Sequence, residues 1–499
     1  MIEGAVRHIL IRHHNNPEPT FEDVKAYYNE HLHPDKIDLN NSEVYKNIFH
    51  KGKWAGVFQF TERGAQEFCT KAKPKSIIDI SAITSIYRPG PLSAGVDQSY
   101  VESKNKPFKI EYANDIVREI TKETYGYLIF QEQIALLAHK LGKGISLDEG
   151  NTLRKLLTKK GTGDHEKKKT GIYKKFVEGC VSKGLSRGDA NELWQKFEYF
   201  SGYGFNKSHA VSYSILSYQC AHLLNYYPAE WMAAFLDKEP ESRKERAINT
   251  ARSMEFKIRP LDINSSGTVW EIDEDNETLI QPLTSIKGLG EKAIEQILMH
   301  RPFNTIDELL FHEEVTYSKL NKKALDALCR GGALHSLKDD RFSGMKHMWS
   351  AAVVDRPKNP KKFAENIELY EPEGEFSKEE KIEHLSDLTG VFPTHLVIDD
   401  DVIQTLEDKF IPPISEYDRD LLVAWFIPRK ITKRKTKNNR EYWILEVIDD
   451  SSTSTSIKCW GPSKRDTIAL NRPYIAKLDY DEQWGFSTRS IFHNFRIIG

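Results

Sequence analysis

A multidomain protein, mainly α-helical up to about residue 415 and ending in a small β-barrel, is the fold class that the sequence predicts. Three observations lead there. At 499 residues the chain exceeds what one core supports, since single cores stop growing near about 250–300 residues. In QEQIALLAHKL, Ile134, Leu137, Ala138 and Leu141 recur at the i, i+3, i+4, i+7 spacing of an amphipathic helix. From Leu421 onward the runs LLVAWFI, EYWILEVI and SIKCWG are rich in β-formers and separated by polar turns.

Residues 1–50 alternate helical spacing, as in MIEGAVRHILIRHHNN, with polar turns. This start lacks an apolar core followed by a small-residue cleavage site, so it does not read as a secretory signal. Residues 54–237 carry the densest aromatic and glycine punctuation, with a second helix expected over about 210–227. That helix is apolar on nearly every face, which predicts burial, and Pro228 ends it. Residues 238–345 combine short helices with one distinctive turn, SIKGLGEKAIEQIL, and residues 346–415, poor in apolar periodicity, read as a linker around a few short elements.

Composition narrows the function. No stretch approaches the roughly 18 apolar residues of a membrane span, and a cytoplasmic location is the default expectation. Cys69, Cys180, Cys220, Cys329 and Cys459 are odd in number and have no C-x-x-C spacing, which argues against disulfides and zinc. A net charge of -2 would weaken a nucleic-acid reading, but charge is concentrated locally. Arg154 to Lys175 holds nine Lys or Arg against two acids, and Arg429 to Arg440 holds seven against none. The plain alternative for each run is a solvated surface.

Chemistry concentrates in GYGFNKSHAVSY, residues 202–213. Gly202 and Gly204 permit a tight backbone path, Ser208 can cap a helix, and Lys207 and His209 lie where that helix begins. A helix N-terminus offers N–H groups and partial positive charge, so a lysine beside it makes a phosphate seat. A capped helix with its lysine turned to solvent fits the residues equally well.

This motif resembles the YGFNKSHA signature in the fingers of the bacterial DNA polymerase III alpha subunit, the C family of replicative polymerases. GVFQFTERG, IYRPGPLSAG, TYGYLIFQEQ, LRKLLTKK, FVEGC, YPAEWMAA, SIKGLG and RGGALHSL resemble family segments in the same order, over about residues 35–345. The resemblance implies a palm-to-fingers connection at 1–50, nucleotide-binding fingers at 51–238, a helix-hairpin-helix and clamp-binding region with linker at 239–415, and an OB-like domain at 416–499. It also implies dNTP binding by Arg88, Gln131, Gln133, Arg154, Lys159, Lys160, Lys207 and His209. Arg88, beside the Pro89-Gly90-Pro91 turn, suits charge-assisted phosphate contact, although a structural arginine in a Pro-rich turn is the alternative. Where the family has paired arginines and a glycine before its lysines, this chain has Lys155 and Thr158.

Phosphoryl transfer of this kind needs acids that hold two Mg²⁺ ions about 4 Å apart. In the family these are palm aspartates before the fingers, and the sequence resembles the region just after the last of them. The expectation is therefore that this chain has no catalytic residue of its own and that a palm-bearing partner chain holds the Mg²⁺. Asp399-Asp400-Asp401 reads as a solvated acidic turn.

Three further segments imply DNA and clamp contacts. Lys287, Gly288 and Gly290 before a helix resemble a helix-hairpin-helix turn, whose backbone amides meet duplex phosphates. Asn366-Ile367-Glu368-Leu369-Tyr370 resembles a sliding-clamp motif with Ile367, Leu369 and Tyr370 as anchors, or is a chance match in a linker. Lys433, Arg434, Lys435, Lys437, Arg440 and Trp443 are the single-strand-binding candidates of the OB-like region. The competing functional reading is a non-catalytic DNA- or clamp-binding relic that regulates replication. A nuclease would need a carboxylate cluster, and the sequence offers none.

Overall fold

The computed structural model describes residues 1–93, 95–158, 163–201, 204–316, 318–389, 392–436, 438–449, 454–481 and 484–498. The chain divides into two compact units, Met1–Met232 and Ala233–Gly499.

The first unit is helical. The Gln131–Leu141 helix coincides with the periodic segment, and Ile134, Leu137, Ala138 and Leu141 all enter a core with Leu153, Phe176 and Trp194. The helix expected from residue 210 begins three residues earlier and spans Lys207–Tyr226, because Asn206 and not Ser208 is its cap. The Asn206 side-chain oxygen accepts the His209 N–H at 2.9 Å and the Ser208 hydroxyl at 2.7 Å. This helix is not buried all round. Ala210, Ser214, Ser217, Tyr218 and Ala221 face inward, while His209, Ser212 and Tyr213 remain exposed. Small residues let it approach the Ile77–Ile86 helix closely, where the Ser81 and Ser214 hydroxyls meet at 3.0 Å.

The second unit opens with a small sheet, β1 (Lys257–Arg259), β2 (Glu271–Ile272) and β3 (Thr278–Ile280), in the order β1-β3-β2. Helices follow, including Glu291–His300 and Lys322–Arg330, packed on Leu283, Ile286, Leu289, Ile297 and Leu328. The stretch 346–415 folds further than its composition suggested. Helices Pro360–Tyr370, Lys378–Thr389 and Asp400–Asp408 form there, and Phe363, Phe376 and Leu388 join the same core. Widely spaced large side chains therefore anchor a polar segment. Asp399 is the cap position of the last of these helices, so the segment expected as an acidic turn starts a helix.

The chain finishes in a curled seven-stranded, OB-like half-barrel of β4 (Val423–Lys435), β5 (Glu441–Ile448), β6 (Thr455–Trp460), β7 (Tyr474–Lys477), β8 (Asp479–Asp481), β9 (Gly485–Thr488) and β10 (Phe495–Ile497). Their order is β10-β7-β4-β5-β6-β9-β8, around a core of Phe426, Leu445, Val447, Ile457 and Phe495. All five cysteines are free and buried.

Candidate functional site

The segment just before the Lys207 helix gathers the fingers candidates. Phe205 forms a bridge with Phe130: its N–H donates to the Ile129 carbonyl at 3.0 Å, and its carbonyl accepts the Gln131 N–H at 2.8 Å. The Gln131 side chain clamps the same strip, donating to the Gly204 carbonyl at 2.7 Å and accepting from the Arg154 guanidinium at 2.9 Å. The Arg88 guanidinium carbon lies 3.9 Å from the centre of the Phe205 ring, and the His209 ring lies 5.5 Å from that ring. Partial burial lowers the Arg88 pKa, although an arginine remains charged at any working pH. Arg88, Gln131, Lys207 and His209 thus meet on residues 204–209, and Arg154 joins them through Gln131.

Lys207 is not turned to empty solvent. Its ammonium pairs with Glu123 at 2.6 Å, and its backbone N–H donates to Glu132 at 2.9 Å. The other Glu132 oxygen accepts from the Asn206 side-chain amide at 2.9 Å. The helix start expected to present open N–H groups to a phosphate therefore has its Lys207 and His209 amides filled internally, by Glu132 and Asn206. Glu123 and Glu132 went unnoticed in the sequence, since surface acids 84 and 75 positions away carry no local signal.

Gln133 is a correction. It is 2% exposed; its oxygen accepts the Ile129 and Phe130 N–H groups at 2.9 and 3.0 Å. Its nitrogen donates to the Ile120 carbonyl and the Thr124 hydroxyl, so both ends are used to hold the loop. Lys159 and Lys160 lie outside the described residues.

Below this strip sits a buried polar knot. Lys104 pairs with Asp79 at 2.7 Å, and Asp79 also accepts the Lys75 N–H at 2.8 Å and the Tyr125 hydroxyl at 3.2 Å. Burial, then the Asp79 charge, pushes the Tyr100 and Tyr125 hydroxyls above their usual pKa, so both stay protonated donors. Tyr125 follows the Glu123 turn directly, at φ +53°, and Gly126 follows at +87°.

In the second unit, Gly288 has φ +87°, a left-handed conformation that glycine adopts without strain, and Gly290 begins the Glu291–His300 helix. Lys287 is exposed, and its N–H donates to the Leu388 carbonyl at 2.7 Å. The turn edges a groove of about 530 Å³ whose opposite wall holds Lys319, Asn321 and Lys323, the start of a second helix. This second wall was missed, having no G-x-G signature.

The clamp candidates are not presented together. Residues 366–370 lie in the Pro360–Tyr370 helix; Ile367 and Tyr370 pack against the core while Leu369 is 63% exposed. Asn366 is fully buried and donates to the Ala351 and Asp355 carbonyls.

On the half-barrel, strand register sorts the candidates by face. Lys433 is opposite Trp443 and Arg434 opposite Tyr442; Tyr442 in turn is opposite Trp460. Because side chains alternate, Trp443 shares the face of Leu445 and packs on the barrel core, with the Lys433 ammonium 5.0 Å from its ring centre. The opposite face carries Arg434, Lys458 and a Tyr442–Trp460 stack at 5.0 Å, with Lys458 5.2 Å from the exposed Trp484 ring. Lys435 and Arg440 are exposed at the β4–β5 end, and Lys437 lies outside the described residues. Tyr442, Lys458, Trp460 and Trp484 are residues that β-patterning alone did not single out.

Among the described residues, no group of three or more His, Cys, Asp or Glu is placed to hold a metal ion, and no helix is long and apolar enough to cross a membrane.

Comparison with known proteins matches residues 18–184 to the bacterial DNA polymerase III alpha subunit finger domain and residues 255–343 to a helix-hairpin-helix motif. The chain is 30% identical over 486 residues to the DNA polymerase III subunit alpha of Chlamydia muridarum, covering 90% of this chain and 37% of that protein. It is 28% identical over 451 residues to the Campylobacter jejuni subunit, 85% of this chain and 37% of the relative. With the Treponema pallidum subunit it shares 35% identity over 314 residues, 62% of this chain and 26% of the relative. The chain thus spans well under half the length of these relatives. Over the residues that it covers, it belongs to the family of bacterial DNA polymerase III alpha subunits, with their finger domain and helix-hairpin-helix motif.

Proposed function

We propose that this chain grips the incoming dNTP and the template-primer in a DNA-directed DNA polymerase of DNA replication, working in the cytoplasm. The carrying observation is the convergence of Arg88, Gln131, Lys207 and His209 on residues 204–209, with Arg154 joined through Gln131. Basic groups on two helices and a turn, gathered around one strip by the Gln131 hydrogen bonds and the Phe205 ring, suit a ligand with several negative charges. Lys159 and Lys160 belong to the same proposed grip.

In the proposed reaction the primer 3′ hydroxyl gives up its proton to solvent or a base outside the residues named here and attacks the α-phosphorus, and pyrophosphate leaves; Mg²⁺, where bound, would supply charge neutralisation. The described residues do not fit the metal pair, having no suitable carboxylate group. The proposal therefore assigns the metals to a palm-bearing partner chain, and the residues named here bind and orient the triphosphate.

Duplex DNA would lie along the helix-hairpin-helix groove, with Lys287, Gly288 and Gly290 on one wall. Single-stranded template would cross the half-barrel, using Lys433, Arg434, Lys435, Lys437, Arg440 and Trp443 together with the Tyr442–Trp460 face. A sliding clamp is the proposed partner for Ile367, Leu369 and Tyr370, at the end of the Pro360–Tyr370 helix. The test is primer extension by the chain mixed with a palm-bearing partner. Lys207→Ala should lower incorporation roughly 10- to 100-fold, the worth of one charge-assisted phosphate contact. Unchanged incorporation would remove Lys207 from the nucleotide grip.

One observation favours the non-catalytic relic instead: the Lys207 ammonium is already matched by a carboxylate. The relic would bind DNA and a clamp but no triphosphate, so nucleotide titration separates the two readings.

A further inference from the structure

We propose that Glu123 is an internal stand-in for the triphosphate, holding the Lys207 ammonium until a nucleotide displaces it. The proposal rests on reading Lys207 as a phosphate grip.

Two carboxylates meet the motif, and they differ in how they are held. Glu132 is the second residue of the Gln131–Leu141 helix, and its two oxygens separately accept the Lys207 N–H and the Asn206 amide, each at 2.9 Å. Its departure would loosen the helix start, so it acts as a fixed bolt. Glu123 makes one ion pair, at 2.6 Å, and both partners are about a third exposed (32% and 33%). It stands in the short turn Lys122–Thr124, which the Gly126 N–H closes by donating to the Thr121 carbonyl at 2.9 Å. The Thr124 hydroxyl accepts from Gln133 at 2.8 Å, and the Tyr125 hydroxyl is tied to Asp79 and Lys104. The turn can therefore stay in place while the Glu123 side chain changes rotamer, and the ammonium stays oriented, 5.7 Å from the Phe130 ring centre.

The charges favour exchange. One carboxylate offers a single negative charge at a partly solvated site, where an ion pair is weak. A triphosphate brings several charges and stronger charge-assisted hydrogen bonds. Glu123 would keep Lys207 extended in the empty state and would select against ligands too weakly charged to replace it.

The test is calorimetric titration of the 499-residue chain with dATP and, separately, with tripolyphosphate, using wild type, Glu123→Gln, Lys207→Ala and the double variant. Removing the competitor should tighten both ligands about three- to fivefold, Lys207→Ala should weaken both, and Glu123→Gln should give no gain in the Lys207→Ala background. Glu123→Gln within twofold of wild type, with Lys207→Ala still weakened, overturns the stand-in and leaves the grip intact. An equal gain in both backgrounds also overturns it, since Glu123 would then act as a general negative charge. No effect of Lys207→Ala in either background, or no binding by any of the four proteins, overturns the grip and the stand-in together. Glu123→Asp, which keeps the charge on a shorter stem, should return affinity toward wild type, whereas Glu132→Gln should lower the melting temperature of the first unit.

Discussion

Replacing Lys104 with methionine should cost the first unit far more stability than any surface charge would. The two side chains of the Lys104–Asp79 pair are nearly out of water, at 5% and 3% exposure, with 2.7 Å between ammonium and carboxylate. The variant keeps the aliphatic stem but leaves Asp79 with the Lys75 N–H and the Tyr125 hydroxyl as its close partners, and with no countercharge at hydrogen-bond distance. Removing one member of a buried pair costs about 3–5 kcal/mol. For a unit of 232 residues each kcal/mol shifts Tm by roughly 2–4 °C, so the expected fall is about 6–20 °C. Differential scanning calorimetry would measure it. The double variant Asp79→Asn/Lys104→Met should recover part of the loss, because the uncompensated charge is then gone. A single variant within 2 °C of wild type, or a double variant less stable than the single one, would refute the assignment of this pair as the clasp of the unit. Tyr125 shares this knot and lies two residues after Glu123, so the variant should also loosen the lysine pairing described above.

Four further outcomes follow from named contacts. Gln133→Ala strands two N–H groups, a carbonyl and a hydroxyl, and should destabilise by about 2–4 kcal/mol in denaturant titration, as a stability defect and not a nucleotide-specific one. Trp460→Ala should weaken single-stranded DNA binding by about 1–3 kcal/mol in a fluorescence titration, whereas Trp443→Ala, on the core face, should mainly lower half-barrel stability. Lys323→Ala should weaken duplex binding and reduce the salt slope by about one, with no change in sequence preference. Burial raises the thiol pKa of every cysteine, Cys180 and Cys220 to about 11 and Cys459 to about 12. At pH 8 the thiolate is then scarce, so alkylation should be slow in the folded chain, faster toward pH 11, and complete after denaturation.

Much of the architecture was legible because local periodicity was strong. The Gln131 helix carries four inward apolar positions at helical spacing, and the structure repeats its sequence bounds. The Lys207 helix was displaced by three residues because the capping oxygen belongs to Asn206, one of several polar residues able to cap there. Residues 346–415 resemble a linker in sequence because Phe363, Phe376 and Leu388 are too sparse to make a periodic signal, yet each fills the core of the second unit. The candidate site divides in the same way. Cations near glycine and proline turns stood out, but what they touch did not: Glu123, Glu132 and Phe205 become partners only through folding. In the half-barrel the β-runs were plain, but the face each aromatic occupies depends on register, which placed Trp443 inward and Trp460 outward.

The open order of the seven-stranded sheet leaves β8 and β10 as its edges. Such rims are templates on which a foreign strand can add, the first step of aggregation. Here β8 is only Asp479, Tyr480 and Asp481, all exposed, and the three-residue β10 sets the exposed Arg496 beside the exposed Ile497. A short acidic strand at one rim and an arginine at the other make strand addition costly by charge and by length. The exposed aromatics of this domain, Trp460 and Trp484, can then remain at its surface without the sheet rims adding foreign strands.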